Sequence, residues 1–234
     1  MSFLSAEQVL SRVAPGEHVT LLLRHAERRH ITAQDADHGA HVPLTDKGCE
    51  QAFAAGKELS TLNGPYIFGS SPVFRCRQTA AQIAKACGAS EFADPEKVAP
   101  LQPLAEFYVA DFEEYMRHLR EGFYPAICKW IADGRLSGFV PVKEGSEALL
   151  KFVLEHSTGK FNVFCTHDAW VVPFLSHFTD ESFDPNRWLN FLSGAAILYK
   201  PENPLETAKI WPIKFIRDGY LVFSDWEANN KTQV

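Results

Sequence analysis

Two largely apolar runs stand out in the hydrophobic pattern of the chain, and each ends abruptly on polar residues. The run His18–Leu23 stops at Arg24 and His25, and the run Phe161–Cys165 stops at Thr166. Runs of this kind are typical of strands that are buried on both faces of a parallel sheet. Such a strand presents polar side chains mainly where it ends, so the sequence predicts polar groups gathered at one edge of a sheet.

Helices alternate with strands along most of the remaining sequence. The predicted helices are a short one after Ser5, Thr45–Leu59, Ser71–Cys87, one after Asp111, Pro125–Asp133, Ser146–His156 and Ala169–Phe178. The other predicted strands are Tyr66–Gly69, Lys97–Leu101, Gly194–Tyr199, Lys209–Ile216 and Tyr220–Phe223. This order predicts an α/β fold, a three-layer αβα sandwich around a mostly parallel sheet, with an antiparallel region near the C-terminus.

Three short signals mark the expected ends of these elements. Ser5 and Gln8 match a capping box, which starts the first helix. Ser71 is placed as an N-cap, with Pro72 at the first position of the following helix. The dipeptide Asp218-Gly219 predicts a tight turn that pairs the last two strands as a hairpin.

Length and composition predict one globular domain. The chain has 234 residues, 46% of them hydrophobic and 22% charged, which excludes a disordered chain. Neither an internal repeat nor a Pro/Gly/Ser-rich linker interrupts the sequence, so we expect a single domain over 1–234 with a helical insertion at about 102–145. The net charge of −6 argues against nucleic acid or an anionic membrane as the main partner.

The cysteines indicate the compartment in which the protein works. There are five of them, an odd number without a CxxC pair, and this does not match a disulfide framework. They are typical of small core residues in a reducing compartment. The N-terminal segment lacks a basic region followed by a long apolar stretch, and no run reaches the length of a membrane span. The sequence therefore predicts a cytoplasmic protein.

Polar residues follow a predicted strand at a third place, where Ser70-Ser71 precedes the helix that carries Arg75. Because the ends of neighbouring parallel strands lie side by side, we expect one pocket to collect the polar groups of all three places. These groups are Arg24, His25, Arg75, His167 and Asp168. Guanidinium donors, imidazoles and helix N-termini suit a tetrahedral dianion such as a phosphoryl group.

Three segments carry these residues: LLLRHAE at 21–27, SSPVFRCRQTA at 70–80 and FCTHDAW at 164–170; a fourth segment, PLTDKGCEQA at 43–52, lies between the first two. Together they resemble the motifs of the histidine phosphatase superfamily, which has the phosphoglycerate mutase-like fold. The resemblance implies that His25 is the nucleophile of a covalent phosphohistidine mechanism. It also implies that Arg24, Arg75 and His167 bind the phosphate, and it calls for no metal ion or other cofactor.

The leaving oxygen needs a proton, and two carboxylates compete to supply it. Asp168 matches the His-Asp pair of the acid-phosphatase and phytase branch of the superfamily. Glu106 matches the Leu-x-Glu context found in the small mutases and phosphatases. Chain length and the PLTDKG motif favour the latter group, in which glycine usually follows the second histidine, so Asp168 departs from its pattern. We expect Asp168 to be the donor, with Glu106 as its rival, and either one needs a raised pKa.

These residues predict a phosphomonoester hydrolase that acts on a small phosphorylated metabolite or a phosphoprotein. A phosphoglycerate-type mutase is the chief alternative, although Ala26 replaces the glycine of those mutases and their Ser-x-x-Asn pattern is missing. A second alternative is a non-catalytic module that recognises phosphate. A third is a metal-dependent hydrolase that uses His30, His38 and His41.

Specificity is expected to lie in the loop 28–43 and in the 102–145 insertion. A phosphorylated small molecule is the expected partner. Glu27, Arg28 and Arg29 are candidates for the mouth of the pocket. Four aromatic residues near the predicted site residues are candidates for contacts with the leaving group: Phe74, Phe107, Tyr108 and Trp170.

Overall fold

The computed structural model of the protein describes residues 3–32 and 34–222. The strands are β1 (Leu4–Ser5), β2 (His18–Arg24), β3 (Tyr66–Ser70), β4 (Ala99–Pro100), β5 (Phe161–Thr166), β6 (Trp188–Leu189), β7 (Ser193–Tyr199), β8 (Lys209–Lys214) and β9 (Tyr220–Leu221). The α-helices are α1 (Ala6–Leu10), α2 (Asp46–Leu59), α3 (Phe74–Cys87), α4 (Pro103–Glu106), α5 (Phe112–Asp133), α6 (Val142–Glu155), α7 (Asp168–Phe178) and α8 (Pro204–Thr207). Short 3-10 helices cover Ala36–Gly39, Ser90–Phe92 and Pro95–Lys97.

The central sheet is mostly parallel. Among the described residues seven strands form it, in the order β1-β8-β7-β2-β5-β3-β4. Strand β7 runs against its neighbours β8 and β2, while the other neighbouring strands are parallel. The predicted α/β fold with a mostly parallel sheet is confirmed, and so is the antiparallel region near the C-terminus.

Helices cover both faces of this sheet because its central strands are apolar on both sides. In β2, the side chains of Val19, Leu21 and Leu23 pack into one core with α1, α2 and α3. Leu22 belongs to a second core, which it shares with α5, α6 and α7. This alternation follows from the two-residue period of a strand. It explains why a strand covered on both faces appears in the sequence as a nearly continuous apolar run.

The register of the three central strands brings their carboxyl ends to one edge of the sheet. Arg24 of β2 lies opposite Thr166 of β5, and Ser70 of β3 lies opposite Cys165. Backbone hydrogen bonds of 2.9 Å extend this pairing by one residue beyond β2 and β3. The first residues past these strands therefore emerge next to one another: His25, Ser71 and His167.

The predicted helix starts at Ser5, Thr45 and Asp111 are present. Ser5 and Gln8 form the capping box, each side chain accepting from the backbone N–H of the other residue. Thr45 and Asp111 cap α2 and α5 by accepting from the backbone N–H three residues further on. The cap predicted at Ser71 is wrong, because α3 begins only at Phe74 and has no side-chain cap. The Ser71 hydroxyl is instead used by a histidine of the site described below.

The hairpin predicted at the end of the chain is also wrong. Strand β9 pairs antiparallel with β6 in a separate two-stranded sheet and not with β8. The side-chain amide of Asn190 explains this, because it donates to the carbonyl groups of Asp218 and Tyr220 and holds this segment beside β6. Phe223, the last residue of the predicted strand, lies outside the described residues.

Helices α4 and α5 lie within the predicted 102–145 insertion, and α5 joins the two helices expected there. Its backbone leaves the helical conformation at Gly122, with φ 142° and ψ 114°. The description of the chain as one domain with an insertion remains a prediction. The five cysteines are free thiols. Of the helices in the described residues, none has both the length and the apolar composition that crossing a membrane requires.

Candidate active site

A cavity of about 470 Å³ lies at the sheet edge where β2, β3 and β5 end. Its charged and titratable lining at this edge consists of His25, Arg28, Arg75, His167 and Asp168. The loop 28–43 contributes Ile31 and Ala40, and α5 contributes Tyr115 and Leu119. Both segments that were expected to carry specificity therefore line the same cavity.

His25 is held as a neutral imidazole. It is 1% exposed, its Nδ1 lies 2.8 Å from the carbonyl oxygen of Ala26, and Arg75 Nε donates to its Nε2 at 3.1 Å. A carbonyl accepts and a guanidinium donates, so the proton is on Nδ1 and the lone pair is on Nε2. Burial, and then the charge of Arg75, lowers the pKa of His25 well below 6.5. A neutral imidazole becomes a nucleophile when its Nε2 lone pair is released from this hydrogen bond with Arg75.

His167 lies beside His25, with the two ring centroids 5.6 Å apart. Nη2 of Arg75 is 3.4 Å from Nδ1 of His167, and Ser71 Oγ is 3.1 Å from Nε2. Because Nδ1 accepts from the guanidinium, Nε2 carries the proton and donates it to the Ser71 hydroxyl. Burial, and then the charge of Arg75, lowers the pKa of His167 well below 6.5. Both imidazoles are therefore neutral at physiological pH.

Arg75 connects the two histidines to the loop 28–43. It lies in the first turn of α3, and besides its contacts with His25 and His167 its Nη1 donates to the carbonyl of Gly39 at 2.7 Å. Burial lowers the pKa of Arg75, but a guanidinium still keeps its charge near neutrality. A phosphoryl group in the cavity would meet a forked cationic donor directly beside Nε2 of His25.

Arg24 reaches the site through Asp168 and does not itself line the cavity. It is 1% exposed, and its Nη2 lies 3.2 Å from Oδ2 of Asp168. It also donates to the carbonyl of Leu189 and lies over the ring of Phe191, with Cζ 4.1 Å from the ring centroid. These contacts hold Arg24 rigidly and leave its predicted role as a direct phosphate ligand a prediction.

Asp168 begins α7 and lines the cavity. Its Oδ2 accepts from the indole N–H of Trp188 at 2.8 Å as well as from Arg24. Burial by itself raises the pKa of Asp168, but Arg24 and the Trp188 hydrogen bond outweigh it, so the pKa lies below its ordinary value. The carboxylate is therefore ionised near neutrality.

Glu106, the rival carboxylate, ends α4 and is exposed to solvent. Its neighbour Ala105 lines the cavity, whereas Glu106 does not. Its carboxylate accepts from the side-chain amide of Gln102 at 3.5 Å. The structure thus brings Asp168 together with the two histidines and places Glu106 outside their cavity.

Arg28 is a further cationic group of the cavity; of the three residues expected at the mouth of the pocket, it lines the cavity, and Glu27 and Arg29 do not. Burial, and then the charges of Arg75 and Arg24, lowers the pKa of Arg28 to about 9, so the group stays protonated near neutrality. Its Nη1 donates to the carbonyl of Arg29 at 2.8 Å. Three guanidinium groups thus share the site with one buried carboxylate, and the excess positive charge favours a dianion.

The histidines considered for a metal site are spread over the loop 28–43. His41 is exposed and pairs with Asp37 at 3.0 Å, while His30 lines the cavity. The side chain of His38 lies outside the described part of the protein. In the residues that the structure describes, no three His, Cys, Asp or Glu side chains are grouped so that they could hold a metal ion.

Solved structures with the same architecture include phosphate-handling enzymes. A mycobacterial glucosyl-3-phosphoglycerate phosphatase has a TM-score of 0.54 and 14% identity, over 86% of this chain and 100% of that one. The phosphoglycerate mutase of Bacillus anthracis has a TM-score of 0.52 and 15% identity, over 92% and 97% of the two chains. At these identities the likeness shows the fold alone. No curated protein matches the sequence.

Fold and site together define a class of protein: an α/β domain with a cationic site built around two neutral histidines at the carboxyl edge of its sheet. The sequence model of the histidine phosphatase superfamily (branch 1) matches residues 20–200, a range that includes all four motifs noted above. The chain belongs to this superfamily, and its fold is phosphoglycerate mutase-like.

Proposed function

We propose that the protein is a phosphomonoester hydrolase that works through a covalent phosphohistidine on His25. The observation that carries this proposal is the state of His25, a buried neutral imidazole whose Nε2 lone pair faces the guanidinium of Arg75. The phosphorus atom of a phosphate ester is an electrophile. The imidazole can attack it while the guanidinium stabilises the negative charge on the phosphate oxygens. Membership of the superfamily supports the same assignment.

Substrate binding uses the cationic groups of the cavity. Arg75 and Arg28 bind the phosphate oxygens, and His167 lies beside them, where its Nε2–H can exchange the Ser71 hydroxyl for a phosphate oxygen. Arg24 holds Asp168 in place and adds its charge to the pocket. When phosphate oxygens take over the donors of Arg75, Nε2 of His25 loses its hydrogen bond to that guanidinium and is free to attack.

The reaction then proceeds in two displacements. In the first, Nε2 of His25 bonds to phosphorus, the bond to the leaving oxygen breaks, and the alcohol departs with a proton from the general acid. In the second, water attacks phosphorus, the P–N bond breaks, and inorganic phosphate leaves. The same acidic group takes up the proton of the water, so the enzyme returns to its starting state. The guanidinium groups stabilise the charge on the equatorial oxygens in both steps.

Asp168 is our choice for the general acid, because it lines the cavity and Glu106 does not. Near neutrality its carboxylate is ionised, but a bound phosphate dianion places negative charge next to it and competes for the guanidinium groups. Both effects raise the pKa of Asp168 in the complex. Asp168 is then protonated on the acid side of neutrality, and burial, which lowers the pKa of His25 well below 6.5 in the unliganded protein, favours the neutral imidazole there.

Trapping of the intermediate tests this proposal. Wild-type protein is mixed with an aryl phosphate that carries radioactive phosphorus, and the reaction is quenched in alkali. We expect the protein to carry label that is stable in alkali and released in acid, as a P–N bond requires. Turnover is expected to continue in excess EDTA, which a metal-dependent hydrolase would not tolerate. Hydrolysis without labelled protein would contradict the phosphohistidine route. Transfer of the label to an alcohol instead of water would identify a mutase, and phosphate binding without label or turnover would identify the non-catalytic module.

The choice of proton donor predicts a dependence on the leaving group. We expect Asp168→Asn to lower the rate of the first displacement with phenethyl phosphate, a poor leaving group, by about 100- to 1,000-fold. The loss in this step should be much smaller for para-nitrophenyl phosphate, whose leaving group departs without a proton. The wild-type rate of this step with phenethyl phosphate should fall as pH rises through neutrality, because the acid loses its proton, and Asp168→Asn should flatten this limb. Single-turnover kinetics across pH, with enzyme in excess over substrate, measure both effects.

Glu106→Gln is the matched control for this experiment, because it also replaces a carboxylate with an amide. It is expected to leave the leaving-group dependence unchanged. If Glu106→Gln shows the selective loss on phenethyl phosphate and Asp168→Asn does not, the general acid is Glu106. Thermal melting of each variant checks that a loss in rate is not a loss of folded protein, which matters most for Asp168→Asn because this change leaves the buried Arg24 without its ion pair.

A further inference from the structure

The cavity has an apolar wall next to its cationic groups. This wall consists of Tyr115, Leu119, Phe123, Tyr124 and Trp170. None of these side chains is charged, since burial raises the pKa of Tyr115 and keeps its phenol protonated. The transfer of a phosphoryl group to His25 does not use them, so the wall is available for the rest of the substrate.

The spacing of residues along α5 builds most of this wall. Tyr115 and Leu119 are four residues apart, which places them on one face of the helix before its break. The helix is interrupted at Gly122, whose φ of 142° is a conformation that favours glycine. The break changes the direction of the backbone, so that two consecutive residues, Phe123 and Tyr124, both line the cavity.

Aromatic packing holds the wall in a defined shape. The indole N–H of Trp170 donates to the carbonyl of Ala105 at 3.0 Å, and its ring stacks on Tyr108 with 5.7 Å between the centroids. Tyr124 packs edge-on against Trp188, with 4.8 Å between their centroids. Side chains fixed in this way lose little conformational freedom when a ligand binds, so the surface is preorganised for an apolar group.

Volume and charge indicate what that group is. The cavity has a volume of about 470 Å³, whereas one water molecule takes up about 30 Å³ in the liquid. A phosphoryl group is only a few times larger than a water molecule, so it fills a small part of the cavity. The arginines that line the cavity are the ones proposed to bind the phosphate, Arg28 and Arg75, and the apolar wall offers no cation. The loop 28–43 adds the side chains of His30 and Asp37 to the lining. The apolar wall offers no charge partner to a carboxylate on the leaving group, whereas an aromatic ring would be buried against this wall.

We infer that the substrates are small phosphomonoesters of an aromatic or other bulky apolar alcohol, and that phosphate esters of hydroxy acids are disfavoured. The apolar wall binds the leaving group while the arginines bind the phosphate. This inference rests on the proposed function for the reaction itself, but the binding preference is measurable without any turnover.

Three phosphonates, which cannot be hydrolysed, provide the test: phenethylphosphonate, methylphosphonate and carboxyethylphosphonate. In calorimetry on the wild-type protein, phenethylphosphonate is expected to bind at least about tenfold more tightly than methylphosphonate. Carboxyethylphosphonate is expected to bind no more tightly than methylphosphonate. Leu119→Ala is expected to reduce the advantage of the phenethyl compound by about fivefold, and Phe123→Ala serves as a second variant if the first melts at the assay temperature.

Leu205→Ala is the matched control, because Leu205 is an exposed leucine of α8 outside the cavity, and it should leave the three affinities unchanged. Equal affinities for the three compounds, or a preference for carboxyethylphosphonate, would overturn the inference. The trapping experiment separates the two proposals. If the protein becomes labelled but shows no preference for phenethylphosphonate, the proposed hydrolase stands and the proposed substrate class is wrong. If the protein prefers phenethylphosphonate but does not become labelled, the proposed binding specificity stands and the proposed hydrolase is wrong.

Discussion

Hydrolysis of para-nitrophenyl phosphate by the His25→Ala variant is expected to fall by at least about 10,000-fold, the scale on which removal of a covalent nucleophile acts. Without Nε2 at this position no P–N bond can form, and the labelled intermediate should disappear together with the turnover. The remaining rate would come from water that attacks a phosphate polarised by the arginines. Initial rates at saturating substrate, in the presence of EDTA, measure the loss.

The matched control for this variant is His177→Ala, because His177 lies on α7 outside the cavity. This change should leave both turnover and labelling as in the wild-type protein. The His25→Ala variant should also still bind inorganic phosphate, since Arg28, Arg75 and His167 remain in place. A variant that retains a substantial part of the wild-type rate, or still becomes labelled, would show that another residue is the nucleophile.

The Arg75→Ala variant is expected to lose about 100- to 1,000-fold in kcat, as is typical when one preorganised donor to the transition state is removed. Its free energy of unfolding should change by less than about 2 kcal/mol, on the scale of a few net hydrogen bonds. Two effects oppose each other in the folded state. The hydrogen bonds to His25, His167 and Gly39 are lost, but the repulsion between Arg75 and Arg28 is relieved. Turnover and urea unfolding of the same preparation give the comparison.

Two further variants make the result specific for the guanidinium of Arg75. Arg77→Ala is the matched control, because Arg77 lies on the same helix but bonds to the carbonyl of Pro95 and to Glu96 instead of lining the cavity. It should leave kcat unchanged. Arg75→Lys keeps the charge without the fork of donors and should recover only part of the rate. Losses of rate and stability of comparable size in Arg75→Ala would contradict the proposed role, since they would indicate a structural residue.

Local patterns in the sequence were sufficient for the central strands of the sheet and for the neighbourhood of the nucleophile. The apolar runs of β2 and β5 are visible because both strands are covered on two faces, and the caps at Ser5, Thr45 and Asp111 depend on residues three positions apart. The convergence of His25, Arg75 and His167 followed from a general property of parallel strands, whose carboxyl ends lie at one edge. These features can be predicted from the sequence because their physical cause lies in neighbouring residues or is shared by all proteins of the fold class.

Other features depend on contacts between residues that are distant in sequence, and no local pattern specifies them. The pairing of β9 with β6 depends on Asn190, and the Ser71 hydroxyl lies against His167 instead of capping a helix. Asp168 lies inside the cavity because it begins α7 at the edge of the sheet, and Glu106 lies outside it at the end of α4.

The sequence by itself thus determined the α/β fold and the superfamily. It also predicted that His25 and Arg75 lie together in one pocket. Only the tertiary structure decided that Arg24 pairs with Asp168, that Arg28 turns into the cavity, and that α5 supplies an apolar wall. The physical reason is that a strand end or a cap is specified by neighbouring residues. The lining of a cavity is specified by how loops and helices pack together, at sequence separations that exceed any local period.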